Sequence, residues 1–362
     1  APGGALLVSA DHAAIDNVRV LTYADAAPGR DWTATFTEDG APVAIAGGSS
    51  SVVDSDSTNM VSAQVVLTNG QANDLLRIGG TALSNGSTGT INGVTYTVSV
   101  SGGVTTINFT GSATKAVYAG LIQSITFENT SQNPTGAPVR DITVTVSDGA
   151  FTSNVAHSYI TVVPVNDAPV LAVGSSLNYT EKAAATVING AITVADVDNT
   201  TLASATVAIT GGFVSGQDLL SFTNVPATMG NITASYNAAT GVLTLSSAGN
   251  TATVAQWQAA LRAVQYANAS DNPSTAARTV SYTVNDSADN SNTITSTITV
   301  VAVNDAPTLT AGSTLNYTEN ANATPINGAI VVADLDNTTL ASATVAIAGN
   351  YVPGQDVLSF TN

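Results

Sequence analysis

Apolar and polar residues alternate with a period of two through many short runs of this chain. The runs at 65–68, 95–100, 105–109, 142–146 and 159–163 alternate or are rich in β-branched residues, and Gly, Asn, Asp and Pro separate them. Side chains at period two share one face of a pleated strand, so these runs predict half-buried strands. One segment keeps another period. Val254, Trp257, Leu261 and Val264 fall at helical spacing and predict a short helix across an edge of the fold, with Trp257 as a core plug rather than a ligand platform. Short strands this close together over more than a hundred residues predict an all-β chain of Greek-key β-sandwiches.

The pattern repeats. VNDAP at 165–169 returns at 303–307, LNYTE at 177–181 returns at 315–319, and ASATVAI at 203–209 returns at 341–347, each at an offset of 138. SGQDLLSFTN at 215–224 returns as PGQDVLSFTN at 353–362. A more diverged copy lies upstream, where FTE at 36–38 answers YTE at 179–181 and FENTSQNP at 127–134 answers YANASDNP at 266–273. Such a period is too long for a solenoid or a propeller blade and predicts an array of domains in a linear rod. The expected division is 1–24 as the tail of a preceding domain, 25–166 and 167–304 as two complete repeats, and 305–362 as the first part of a third. The chain begins and ends in mid-pattern, as a piece of a longer protein would.

Charge then narrows the function. Of 362 residues only 9% are charged, and these are 25 Asp and Glu against 8 Lys and Arg, a net charge of −17, with no Lys or Arg after Arg278. Phosphate recognition needs clustered cations, so a nucleic-acid partner is excluded, and anionic membrane surfaces are disfavoured. Cysteine is absent, which removes disulfides and thiolate metal sites. No run of 18 apolar residues predicts a membrane span, and the N-terminus lacks a cationic segment followed by an apolar one. Enzyme motifs are missing as well. His12 and His157 lie in no H-E-x-x-H or G-x-S-x-G setting, and His157 reads as a sheet-surface residue.

The acids recur at fixed places in the repeat. A Glu closes an early strand (Glu38, Glu181, Glu319), and a D-x-D pair follows (Asp54 and Asp56, Asp196 and Asp198, Asp334 and Asp336). A late-strand Asp comes next (Asp148, Asp286), then a linker Asn-Asp (Asn166 and Asp167, Asn304 and Asp305), with Asp271 added in the second repeat and Asp25 at the linker position before the first. In a sandwich these are strand ends and loops, so they gather where consecutive domains meet. Two like charges 4 Å apart at an effective dielectric near 20 cost about 4 kcal/mol, and almost no cation is expected nearby to offset it. A hard divalent cation removes that repulsion, and Ca²⁺ takes six to eight carboxylate, amide and backbone oxygens in flexible geometry. The competing expectation is that each Asp or Asn merely caps its own turn.

The combination of the early Glu, D-x-D, the late-strand Asp and N-D-x-P resembles cadherin repeats. It is more closely similar to the cadherin-like, Ig-like tandem repeats of large bacterial surface and secreted adhesins, over roughly residues 25–362. The resemblance implies Ca²⁺ between domains. Glu38, Asn166 and Asp167 would face Asp196, Asp198 and Asp286 across one junction, while Glu181, Asp271, Asn304 and Asp305 would face Asp334 and Asp336 across the next. Asp25, Asp54, Asp56 and Asp148 would serve an incomplete junction at the start. The chain departs from the animal pattern at Pro164, Ala168, Ala302 and Ala306 and in the Asn-rich loops that replace a mid-domain acidic motif, which implies fewer or weaker ions. Neither an EF-hand loop nor a nonapeptide calcium roll is present.

The implied role is a non-enzymatic, calcium-rigidified extender of an extracellular adhesin, active in adhesion and biofilm through modules elsewhere. Its partners would be the neighbouring domains of the same chain. The alternative is a self-assembling subunit of a filament, sheath or surface layer, in which an identical chain completes the third repeat. Residues 13–23 resemble the closing strand of a jelly-roll carbohydrate-binding module, so any glycan binding is expected upstream.

Overall fold

The structure is a computed structural model that describes residues 19–21 and 31–361, with side chains from 31 onward. The expected tail at 1–24, apart from the backbone of 19–21, and the candidates His12 and Asp25 lie outside the described residues. The chain divides into two compact units, Ala1–Asp167 and Ala168–Asn362, the second holding the second and third repeats.

Each complete repeat is a β-sandwich with its own core. In the first, the larger sheet runs Trp32–Thr37, Ala156–Val163, Arg140–Ser147, Asn59–Leu67, Val104–Thr114, Val94–Ser101 and Thr88–Ile91. The smaller sheet runs Val43–Ala44, Ile125–Asn129, Asp74–Ile78 and Thr81–Ala82. The second repeat keeps this plan with Ser175–Thr180, Ile294–Val301, Arg278–Asn285, Ser204–Gly211, Val242–Ser247 and Ile232–Asn237 in one sheet. Thr186–Val187, Gln265–Asn268 and Asp218–Ser221 form the facing sheet. Alternation does what period two requires: in Arg140–Ser147 and Arg278–Asn285 every second side chain is buried.

The aromatic residue of the early strand fixes the end of the sandwich. Phe36 meets Phe127 edge to face at 5.9 Å, and Tyr179 meets Tyr266 in the same way at 5.0 Å. All four are buried, so each early strand is held two residues short of its Glu. That strand pairs in parallel with the last strand of the repeat, Thr37 opposite Val163 and Thr180 opposite Val301. This register sets Glu38 and Glu181 beside the linker that leaves the sandwich.

The helix expected around Trp257 spans Val254–Arg262. Thr253 and Gln256 cap it reciprocally, and Trp257 is fully buried with its Nε1–H donating to Leu202 O at 2.9 Å. The first repeat carries a counterpart helix, Lys115–Gln123, that the periodicity did not announce. His157 lies on the outer face of its strand, half-buried, with Nδ1 2.9 Å from Asp141.

The backbone strand Arg19–Leu21 pairs with Ser51–Val53, in the place that Val170–Ala172 takes against Thr193–Ala195 in the second repeat. In the third repeat Thr308–Thr310 pairs with Val331–Ala333. There the apolar positions face solvent: Leu309 is 67% exposed and Val345 74%, where their counterparts Leu171 and Val207 are buried.

Candidate metal centre

The acidic positions sort onto the two ends of each sandwich. At one end stand the D-x-D loop and the late-strand Asp. Asp54 Oδ1 accepts the N–H groups of Asp56 and Ser57, both at 3.0 Å. Asp196 does the same for Asp198 at 3.0 Å and Asn199 at 2.7 Å, and Asp334 for Asp336 at 2.9 Å and Asn337 at 2.7 Å. Asp148 Oδ1 takes Ala150 and Phe151 at 2.9 Å, and Asp286 Oδ1 takes Ala288 and Asp289 at 2.7 Å. These are Asx turns, so the turn-capping role holds for one oxygen of each of these carboxylates.

The second oxygens point elsewhere. Asp148 Oδ2 accepts Ser57 Oγ–H at 2.9 Å, and Asp286 Oδ2 lies 3.5 Å from Asn199 Nδ2, so the two loops are tied together in both repeats. Backbone N–H donors, that of Ser57 first, hold the Asp54 carboxyl below its ordinary range. Those of Phe151 and Ala150 do the same for Asp148. Asp56 is pushed the other way, chiefly by the hydrogen bond it shares with the Asp54 carboxylate. Lys115 donates to Asp54 O at 2.7 Å rather than to these carboxylates.

The Glu and the linker occupy the opposite end. Glu38 Oε2 accepts the linker N–H of Val165 at 2.7 Å, and Glu181 Oε2 accepts that of Val303 at 2.9 Å. The repeated Glu therefore clamps its own linker to the sandwich. The other oxygen of Glu181, Oε1, is buried and takes no hydrogen bond, on a side chain with 0% exposure.

The structure brings Glu181, Asp271 and Asp305 together, with one carboxylate oxygen of each within 4.8 Å of the others. Asp305 N–H donates to Asp336 Oδ2, Asn337 Nδ2 donates to Asn304 Oδ1 at 2.9 Å, and Asn272 Nδ2 reaches Leu335 O at 3.0 Å. The D-x-D loop of the third repeat thus closes on the linker: Asp336 touches it directly, and Asp334 shapes the loop.

One expectation needs correction here. The sequence predicts almost no cation near the converging carboxylates, yet Lys182 sits among them. Its Nζ lies 2.7 Å from both oxygens of Asp305, 3.3 Å from Asp271 Oδ1 and 3.8 Å from Glu181 Oε1. The hydrogen bond to Asp305 first, then that to Asp271, raises the ammonium's pKa above the ordinary lysine value. Low charge density in the sequence concealed this, because a single lysine beside the Glu is invisible to composition.

The donor set fits a hard divalent ion. Ca²⁺ takes oxygens at 2.3–2.6 Å, so ligands on opposite sides of it are about 5 Å apart, the span of this cluster. A buried carboxylate oxygen without a hydrogen bond is costly unless something positive reaches it. Lys182 at 3.8 Å supplies charge there but no hydrogen bond. The six candidates for the preceding junction fall in different units. Glu38, Asn166 and Asp167 lie at the linker end of the first, and Asp196, Asp198 and Asp286 at the D-x-D end of the second.

Two buried ion pairs escaped the sequence reading. Asp218 and Arg278 have fully buried side chains 3.2 Å apart, and Asp74 and Arg140 form the same pair at 2.7 Å in the first repeat. Asp218 Oδ1 also accepts Tyr266 Oη–H at 2.6 Å and Asn268 Nδ2–H at 2.9 Å. The signal was available: the repeat carries Asp218 to Asp356 at the same offset of 138, and two of the chain's eight cations occupy one repeat position.

No known family profile matches the chain. A stretch of 98 residues is 39% identical to halomucin of Haloquadratum walsbyi, covering 27% of this chain and 1% of that protein's length. Among solved structures, mouse cadherin-23 repeats EC22–24 align over 81% of this chain and 69% of theirs, at 13% identity and a TM-score of 0.35. Human mucin-like protocadherin EC1–2 aligns over 76% of this chain and 97% of its own, at 9% identity and a TM-score of 0.26.

Proposed function

We propose that this chain is a calcium-rigidified spacer in a large extracellular adhesin. Its sandwiches stand in a rod that carries binding modules located elsewhere, and it has no catalytic role. The observation that carries this reading is the cluster of Glu181, Asp271 and Asp305, in which Glu181 also holds a buried carboxylate oxygen without a hydrogen bond, at the place where one repeat hands over to the next. When bound, Ca²⁺ would supply the positive charge that three converging carboxylates require. Glu181, Asp271, Asp305, Asn304 and Asp336 would hold it. Glu181 keeps the linker N–H of Val303 on its second oxygen, so ion capture and linker direction are set by one side chain.

By the resemblance to cadherin-like repeats alone, Glu38, Asn166, Asp167, Asp196, Asp198 and Asp286 would serve the preceding junction, and Asp25, Asp54, Asp56 and Asp148 the one before it. The resemblance to halomucin over a short stretch agrees with an extracellular setting. Ca²⁺ that binds the folded chain alone stabilises it by RT ln(1 + [Ca²⁺]/Kd), about 2.7 kcal/mol per site at a hundredfold excess over Kd. Melting in EDTA and in 10 mM Ca²⁺ tests this: a rise of several degrees is expected, and identical curves would end the calcium reading.

A second reading rests on the third repeat. Leu309, Val345 and Phe360 are exposed there, an apolar surface that a second copy of this chain would cover. Covered by an identical neighbour, that surface makes a filament, sheath or layer by strand addition; left uncovered, the chain stays a spacer. Sedimentation velocity across a hundredfold concentration range separates the two, since growth with concentration is expected of the polymer alone.

A further inference from the structure

The turn after the repeated Glu has the same backbone in all three repeats and a different charge in each. Asp39, Lys182 and Asn320 all have φ near +60°, at 56°, 60° and 60°. The turns close with Gly40 N–H on Thr37 O, Ala183 N–H on Thr180 O and Ala321 N–H on Thr318 O, at 2.9, 3.0 and 3.0 Å. Asp and Asn are the side chains that enter left-handed backbone most readily; lysine is not among them. Lysine at 182 is therefore a residue that the turn itself does not favour.

What the turn residue reaches is also kept. Asp39 Oδ1 accepts Gln132 Nε2–H at 2.7 Å, and Lys182 Nζ stands 3.3 Å from Asp271 Oδ1. Gln132 and Asp271 are equivalent residues of the two Asn-rich loops, FENTSQNP and YANASDNP. One bridge between turn and loop thus persists while its charges are exchanged. The first repeat pairs an acid with a neutral amide, and the second pairs a cation with an acid. The ammonium of Lys182 also lies within reach of every carboxylate of the cluster, including the buried Glu181 Oε1 that accepts no hydrogen bond.

We propose that Lys182 is a tethered cation that neutralises the Glu181–Asp271–Asp305 cluster and that a divalent ion must displace. The residue after the repeated Glu then sets the order in which junctions fill, Lys182 marking the one with the weakest affinity. This inference rests on the calcium reading above. An ammonium in the cluster holds it together without metal, and the same ammonium repels an incoming ion until its side chain swings away. Because the side chain is half exposed and long, it can leave without unfolding the repeat. The consequence is that the carboxylates between the second and third repeats stay neutralised with and without the ion.

The test is a calcium titration of the full chain against a chromophoric chelator, with melting in EDTA alongside, for the unaltered protein, Lys182→Asn and Lys182→Arg. Asn is chosen because Asn320 already fills this turn. Lys182→Asn is expected to tighten the weakest class of sites about tenfold, as removal of a charge at this range implies. It should also lower the melting temperature in EDTA. Lys182→Arg should keep the unaltered protein's weak site and its EDTA melting. Calcium binding with equal affinity in all three proteins overturns this inference alone. Failure of every protein to bind calcium overturns the functional reading and this inference together, and unchanged melting of Lys182→Asn in EDTA refutes the neutralising role.

Discussion

Removing one carboxylate from the core of the second repeat should destabilise that repeat and leave the first unchanged. Asp218 accepts hydrogen bonds from Tyr266 Oη, Asn268 Nδ2, Arg278 Nε and the backbone N–H of Val214 at distances between 2.6 and 3.3 Å. Arg278 spends Nη1 on the carbonyls of Ser274 and Ala276. Both side chains have no exposure, so Asp218→Ala strands a guanidinium away from water. Breaking such a pair costs about 3–5 kcal/mol. Against a total stability of roughly 5–15 kcal/mol, that is a large part of what the repeat has. For a sandwich of this size each kcal/mol moves the melting temperature by about 3–5 °C, so a fall of roughly 10–20 °C follows.

Scanning calorimetry reads this directly. The two repeats have separate hydrophobic cores, so Asp218→Ala should lower one transition and Asp74→Ala the other. The double variant Asp218→Leu with Arg278→Met removes both charges and should lose less than the sum of the single changes, because no buried charge is left unpaired. A single-variant shift below about 3 °C, or strict additivity in the double variant, would refute the reasoning.

Three further outcomes follow from the same geometry. Trp257→Ala empties the centre of the second core and should cost about 3–5 kcal/mol, read as a fall of that repeat's transition with the first repeat's unchanged. Burial pushes the Tyr118 hydroxyl up to about 12, so the folded state holds this proton more tightly than the unfolded chain. Its contribution to stability is present below pH 10 and lost as pH rises from 10 to 12; absorbance at 295 nm should show several tyrosines that ionise late, the buried Tyr266 and Tyr282 among them, and Tyr118→Phe should lower the amplitude of the late rise by one tyrosine. Glu181→Gln keeps an acceptor for the Val303 N–H while removing the cluster's buried charge, so calcium affinity should fall at least tenfold with little change in EDTA melting.

The strands were legible because alternation and β-branched runs are dictated locally, and one register decision then propagates along each sandwich. The helix at Val254–Arg262 announced itself through four apolar residues at helical spacing. Lys115–Gln123 did not, since KAVYAGLIQ is apolar on most of its circumference and its period is blurred. Recurrence at 138 residues revealed the acidic positions, because the linker, the D-x-D loop and the early Glu are each short and local. Lys182 and the pairing of the recurrent Asp and Arg positions stayed hidden for a physical reason. Their meaning depends on which loops meet in space, and a charge that neutralises a neighbour from another strand has no local signature.

The claim on which the account turns is that calcium stiffens the chain at its junctions. Small-angle scattering during a calcium titration of the full 362-residue chain reports stiffness and the number of ions together. The account predicts a maximum dimension that lengthens and sharpens between EDTA and millimolar Ca²⁺, with an endpoint that Mg²⁺ at the same concentration does not reach. Scattering curves that superimpose at every calcium concentration would contradict it.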